Sequence, residues 1–207
     1  AGVRIDFYSG SSHVLTYPDP AAAALYIAAN GSVNVFIPNL SQLGRGQYSA
    51  VVSSNQKVVV SVQISSVDQA TAPWTAFAYE GVDAANTAQK IFFPAAMKNF
   101  YGFYSEMVIQ NTSGTTSTTL TADFYSATGT KLNATPIQLG TLAANGTKTY
   151  ATSDALFNSL PSGSTGSFGV VVNSSATNIA GIANVWRTTP TYMSASYNAV
   201  ITGSRTI

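Results

Sequence analysis

The sequence predicts an all-β chain. It reads as two tandem immunoglobulin-like β-sandwiches, residues 1–88 and 89–207, the first lacking its opening strand or strands. Three observations predict this. Only 8% of the 207 residues are charged while 45% are hydrophobic, against about 25% charged in an ordinary soluble domain. Short β-branched and aromatic runs are punctuated by Gly, Asn, Ser and Pro. Several short blocks also recur, in the same order, at spacings of 115 to 120 residues.

In chain order, strands are expected over 3–8, 33–37, 48–52, 58–64, 107–110, 120–125, 168–172 and 179–185. In Leu120-Thr121-Ala122-Asp123-Phe124-Tyr125 one face is apolar and the other mixed, as a half-buried strand requires. Asn30-Gly31 and Asn145-Gly146 sit between such runs and suit tight turns with positive φ. Residues 21–29 have helix propensity, but Pro18 and Pro20 precede them and Tyr26-Ile27 falls inside, so they read as strand or irregular. Residues 152–157 read as a single helical turn, with Thr152, Ser153 and Asp154 available to cap it.

The repeat is carried by four blocks. Asp6-Phe7-Tyr8-Ser9 returns as Asp123-Phe124-Tyr125-Ser126, and Ala28-Ala29-Asn30-Gly31-Ser32 as Ala143-Ala144-Asn145-Gly146-Thr147. Gly46-Gln47-Tyr48-Ser49-Ala50-Val51-Val52 matches Gly166-Ser167-Phe168-Gly169-Val170-Val171-Val172, and Ala76-Phe77-Ala78-Tyr79 matches Ser194-Ala195-Ser196-Tyr197. Residues 90–116 precede the second Asp-Phe-Tyr-Ser block and have no counterpart before the first. The leading unit is therefore expected to lack one or two opening strands, leaving core and a backbone edge uncovered. The C-terminal tail is placed like a linker entering an opening strand, which makes Ala199, Val200, Ile201, Thr202 and Ile207 the expected donor to another copy. Val3, Ile5 and Phe7 then belong to the acceptor, or alternatively form the exchanged strand themselves. Head-to-tail contacts that do not close propagate as a filament, so the expected partners are further copies of the chain.

Phe93-Pro94-Ala95-Ala96-Met97-Lys98-Asn99-Phe100-Tyr101-Gly102 followed by Ser105-Glu106-Met107-Val108-Ile109-Gln110-Asn111-Thr112 resembles the opening of tandem β-sandwich repeats in large secreted surface proteins of filamentous thermophilic bacteria. Leu142-Ala143-Ala144-Asn145-Gly146-Thr147 is similar to the mid-domain turn of such repeats. The resemblance covers the second unit well and the first from Val3 onward. It implies an extracellular, immunoglobulin-like, non-enzymatic module and brings no catalytic residue with it. The composition is also similar to that of strand-donating extracellular filament subunits.

Composition narrows the chemistry. Nine basic against eight acidic side chains leave a net charge of +1, which argues against a nucleic-acid surface. With 25 Ser and 24 Thr, the polar surface is hydroxyl and amide. Ten Phe and eleven Tyr are too many for a disordered chain. Cysteine is absent and His13 is the single histidine, so no disulfide, thiolate or His-pair metal site is expected, and no cofactor. No run approaches the roughly 18 apolar residues of a membrane helix. Ala1 followed by strand-like sequence suits a mature chain freed of a leader, or one cut from a longer precursor.

His13 with Asp19 and Ser12 could form a catalytic set on paper, but an exposed loop histidine is the expectation. Asp6 and Asp123, at equivalent repeat positions, are expected to share a structural role. Phe100, Tyr101, Phe103 and Tyr104 could stack sugar rings or form a hydrophobic contact. Trp74 and Trp186 are expected to pack in the sandwiches or at their ends, and Lys98 or Lys131 near Asn or Asp raises the idea of an isopeptide crosslink. Six Asn-x-Ser/Thr sequons mark glycosylation candidates at Asn30, Asn39, Asn111, Asn133, Asn145 and Asn173, with Asn111 and Asn133 the expected acceptors among them. The expectation is a non-enzymatic, secreted or cell-surface structural subunit assembling by donor-strand exchange. The alternative is an adhesive or carbohydrate-binding module.

Overall fold

The computed structural model describes residues 1–65, 76–187 and 193–201; Trp74, Thr202 and Ile207 fall outside them. Among these residues there are fourteen strands, joined by four short 3-10 turns. They are β1 (Gly2–Ser9), β2 (Ser12–Tyr17), β3 (Leu25–Tyr26), β4 (Ser49–Ser54), β5 (Ser61–Ser65), β6 (Ala76–Glu80), β7 (Lys90–Phe100), β8 (Phe103–Asn111), β9 (Thr118–Tyr125), β10 (Ile137–Leu142), β11 (Thr147–Ala151), β12 (Ser167–Ser174), β13 (Ile179–Arg187) and β14 (Met193–Asn198). Every ladder is antiparallel, and every ladder of more than one pair lies within residues 2–80 or within 90–198.

The trailing part builds the core. One run of strands is ordered β10-β9-β12-β7, the other β11-β8-β13-β14, and β7 passes from the first to the second. Alternation places Leu120, Ala122 and Phe124 of β9 at 0% exposure while Thr121, Asp123 and Tyr125 face outward. Ile91, Phe93, Met107 and Ile109 join the same cluster, as do Phe157 and Phe168, whose rings meet Phe124 edge-on at 5.5 and 5.4 Å. Among the described residues of the leading part only Val3, Phe7 and Leu40 are buried apolar residues, and β1 is central, with β2 and β3 on one edge and β4 on the other.

The pairing repeats residue for residue. Asp6 faces Val51 and Phe7 faces Ala50 between β1 and β4, while Asp123 faces Val171 and Phe124 faces Val170 between β9 and β12. Val62 faces Tyr79 between β5 and β6 as Ala183 faces Tyr197 between β13 and β14. Val3 faces Leu25 as Leu120 faces Gly140, so β3 stands where β10 does. Asn30 and Asn145 both adopt positive φ, 59° and 56°, in matching turns closed by Gly31 N–H to Ala28 O and Gly146 N–H to Ala143 O.

Three sequence expectations are adjusted. Residues 33–37 form no strand: their counterpart β11 pairs with β8, and no described residue of the leading part stands in the place of β8. The strand expected over 58–64 begins only at Ser61. The turn over 152–157 forms, but as the 3-10 segment Ala155–Phe157, with Asp154 Oδ2 accepting from Ala151 N–H instead of capping forward. Residues 21–29 contribute only β3, because Arg4 already draws the carbonyls of Pro18, Asp19, Pro20 and Ala22 to its guanidinium.

Candidate functional site

The feature without a counterpart is an open edge. β12 is flanked by β9 and β7, whereas β4 is flanked by β1 alone; β13 is flanked by β14 and β8, whereas β5 is flanked by β6 alone. Among the described residues, nothing hydrogen-bonds to the backbone along the second edge of β4 or of β5. Side chains that a complete sandwich would cover are exposed there: Ala50 is exposed where its equivalent Val170 is 1% exposed, and Phe36 and Val59 are 61% and 89% exposed. In the trailing part the two strands at this position bury Ile91, Phe93, Met107 and Ile109. At about 1.5–3 kcal/mol for each such side chain, the leading part forgoes on the order of 6–12 kcal/mol of apolar burial. That is comparable to the whole net stability of a typical domain.

The expected donor and acceptor residues take definite places. Val3, Ile5 and Phe7 lie on the inward face of β1, which is hydrogen-bonded on both edges by strands of the leading part. Ala199, Val200 and Ile201 are not a free strand. Ala199 N–H donates to Gly181 O (2.8 Å), Val200 exchanges two backbone hydrogen bonds with Phe92 (2.8 and 3.0 Å), and Ala199 and Ile201 pack on the trailing core. The leading part repeats the first of these bonds, with Gly81 N–H donating to Val60 O at 2.8 Å. The start of the tail is thus a home element, and Thr202 and Ile207 lie outside the described residues.

The aromatic run forms the β7–β8 hairpin. Tyr101 and Gly102, at φ 47° and 83°, make the two-residue loop between the paired Phe100 and Phe103. Tyr101 is 69% exposed, edge-on to Phe100 at 4.8 Å. Phe103 lies under the Arg187 guanidinium at 4.7 Å, and Tyr104 pairs with Trp186 on β13; both are half-buried. Of these four rings, Tyr101 alone is open.

Among the described residues, two acidic side chains meet a basic one. His13 Nε2 lies 3.0 Å from Thr16 Oγ1 and 3.3 Å from Asp6 Oδ1, and the Thr16 hydroxyl donates to that same oxygen at 2.5 Å. His13 is therefore engaged with Asp6, not with Asp19, whose Oδ1 accepts from Ala21 N–H. At the equivalent position Asp123 meets Lys131 Nζ at 2.8 Å and accepts from Asn133 Nδ2 at 3.2 Å. Lys98 meets no carboxylate among the described residues; its ammonium donates to Phe157 O and Leu160 O. Burial among sheet residues pushes the Glu106 carboxyl up; its hydrogen bond with Asn184 lowers it, and nearby Asp154 raises it. Burial also pushes Tyr150 and Tyr197 to about 12, the latter while donating to Ala95 O.

Two sequons are overturned as acceptors. Asn111 is buried, its Nδ2 donating to Thr116 O and Ala143 O while Oδ1 accepts from Thr177 Oγ1 and Ser113 N–H. Asn133 is likewise buried, with Oδ1 accepting from Phe124 N–H and Nδ2 donating to Thr135 O. A glycan needs that amide nitrogen free and reachable. Asn145 and Asn173 are half-buried, while Asn30 and Asn39 are exposed.

A cleft of about 290 Å³ lies between the equivalent segments 80–83 and 198–201 and includes Glu80, Asp83 and Asn86. No group of three or more metal-ligating side chains occurs among the described residues, and no helix among them is long and apolar enough to cross a membrane. Compared with known proteins, the chain matches no family model, no curated protein and no solved structure. The sequence had pointed to a gap. The strands that border it, β4 and β5, and the side chains that fill its equivalent required the pairing to be seen.

Proposed function

We propose that the chain is a structural module of an extracellular filament or cell-surface fibre, built as two tandem immunoglobulin-like sandwiches, the first of which is completed by β-structure from another polypeptide. One observation carries this reading. β1, β3, β4, β5 and β6 keep the registers of β9, β10, β12, β13 and β14, while the places of β7 and β8 stand open. An unpaired edge beside uncovered apolar side chains drives association. Each subunit filled by the next gives a head-to-tail contact that extends as a filament. The work is assembly and persistence without turnover. A hydroxyl-rich, nearly neutral surface, with glycans on exposed loops such as those of Asn30 and Asn39, supports an extracellular setting.

The test is Ala50→Lys. Ala50 shares the inward face of β1 and β4 with Phe7, so a lysine there puts a charge into the open groove at little cost to the free chain. Negative-stain microscopy and sedimentation should show fibres for the unaltered chain and dispersed molecules for A50K, with the same melting temperature for both dispersed forms. Fibres of A50K equal in yield, or an unaltered chain that stays monomeric at all concentrations, would refute the reading. A second reading, a carbohydrate-binding surface, rests on the open ring of Tyr101 at the hairpin tip; glycan-array binding lost on Tyr101→Ala would favour it.

A further inference from the structure

The two Asn-Gly turns have nearly the same sequence, Ala28-Ala29-Asn30-Gly31-Ser32 and Ala143-Ala144-Asn145-Gly146-Thr147. In each, the asparagine is at positive φ and the glycine N–H donates to the alanine carbonyl three residues back. Their surroundings differ. Gly146 is buried, Asn145 N–H donates to Ser113 O and Gly146 O accepts from Asn111 N–H, both at 2.8 Å. Thr147 then opens the ladder of β11 against Gln110 of β8. In the leading part residues 28–34 are all exposed, and among the described residues nothing hydrogen-bonds to Asn30 N–H or to Gly31 O.

An asparagine followed by glycine is thermolabile. Without a Cβ beside it, the glycine nitrogen can approach the asparagine Cγ. The N–Cγ bond forms, the Cγ–Nδ2 bond breaks, and Nδ2 leaves as ammonia with the former amide proton of the glycine. Water then opens the five-membered imide at one of its two carbonyls, which gives aspartate or isoaspartate. The backbone must leave its native φ and ψ to reach that ring, so a turn pinned by its neighbours reacts only through local opening. A turn pinned by nothing beyond its own hydrogen bond has no such barrier.

We propose that Asn30 is a self-modifying site: in the folded chain it converts through the cyclic imide to aspartate and isoaspartate, while Asn145 keeps its amide. Neither step involves a second copy of the chain. The product takes the formal net charge of +1 down by one unit, and isoaspartate adds one carbon to the backbone of the turn. The nitrogen lost is the one that an N-linked glycan would use, so conversion and glycosylation exclude one another at this sequon.

The test uses the full chain carrying Ala50→Lys, made without N-glycosylation, so that its outcome does not depend on whether fibres form. It is incubated in mildly alkaline buffer, cleaved and mapped by mass spectrometry, which reads the amide-to-acid mass gain at each asparagine; chromatography separates the isoaspartyl peptide. Asn30 should convert roughly tenfold or more faster than Asn145, because two backbone hydrogen bonds must open before Asn145 can react. In concentrated urea the two rates should converge, since only the fold distinguishes the sites. Gly31 has no positive φ, and an added Cβ would meet Ala28 O at 3.2 Å, so Gly31→Ala is accommodated by a small shift. That variant should suppress conversion at Asn30 and leave Asn145 as it was. Equal rates in the folded chain, a difference that persists in urea, or conversion of Asn30 unaffected by Gly31→Ala would each overturn the inference.

Discussion

Gly181→Ala tests how tightly the trailing core is packed. The added methyl would lie 2.7 Å from Phe93 Cζ, 2.8 Å from Ile91 Cδ1 and 3.4 Å from Ala199 Cβ. Ordinary contact begins near 3.5 Å, so two side-chain ends must each retreat by most of an ångström. Both are sealed in the core, at 0% and 1% exposure, and a close-packed interior has nowhere to send them. Overpacking of this kind costs about 1–3 kcal/mol. For a domain of roughly 100 residues that lowers the melting temperature by about 5–20 °C. Ala199→Gly added to Gly181→Ala should restore little, because Ala199 is the most distant of the three neighbours; Phe93→Leu, which shortens the nearest one, should restore more. The assay is thermal unfolding by circular dichroism with calorimetry as a check. A melting temperature of G181A within a degree or two of the parent would refute the reasoning.

Glu106→Gln should raise the melting temperature at pH 7 and leave it unchanged at pH 3. The folded carboxyl is held above its usual range, so its ionisation costs stability as pH rises through that window and costs nothing below it. Asn111→Ala should cost on the order of 3 kcal/mol in denaturant unfolding, since it orphans the Thr116 and Ala143 carbonyls and the Thr177 hydroxyl. Mass spectrometry of material from a glycosylating source should find Asn111 and Asn133 unmodified; sugar on either would contradict the buried hydrogen bonds. Tyr150→Phe and Tyr197→Phe should flatten the loss of stability above pH 10. Each phenol titrates near 12 when folded, so the neutral-form advantage present below pH 10 is lost as pH climbs through that interval.

Much of the architecture was legible before any coordinates. The blocks around Asp6 and Asp123, Asn30 and Asn145, and Tyr79 and Tyr197 stand in equivalent ladders or turns. Alternation alone identified β9, because Leu120, Ala122 and Phe124 can share a face only if the segment is extended. Strand formation at 33–37 was misjudged for a physical reason. A β-prone sequence becomes a strand only against a partner, and propensity there reports fitness for a sheet that the leading part does not assemble. The buried roles of Asn111 and Asn133 were equally invisible, since a sequon looks the same whether its amide faces water or three backbone groups.

By itself the sequence determined that the chain is β-structured, poor in charge and internally repeated. These properties follow from composition and local periodicity, which need no knowledge of what lies across the fold. Only the tertiary structure decided that Ala199–Ile201 are held at home, that β4 and β5 each keep one edge unpaired among the described residues, and that Val60 takes the place of Gly181. Each of these depends on atoms distant in sequence meeting within a few ångströms, and pairing between strands is where that information resides.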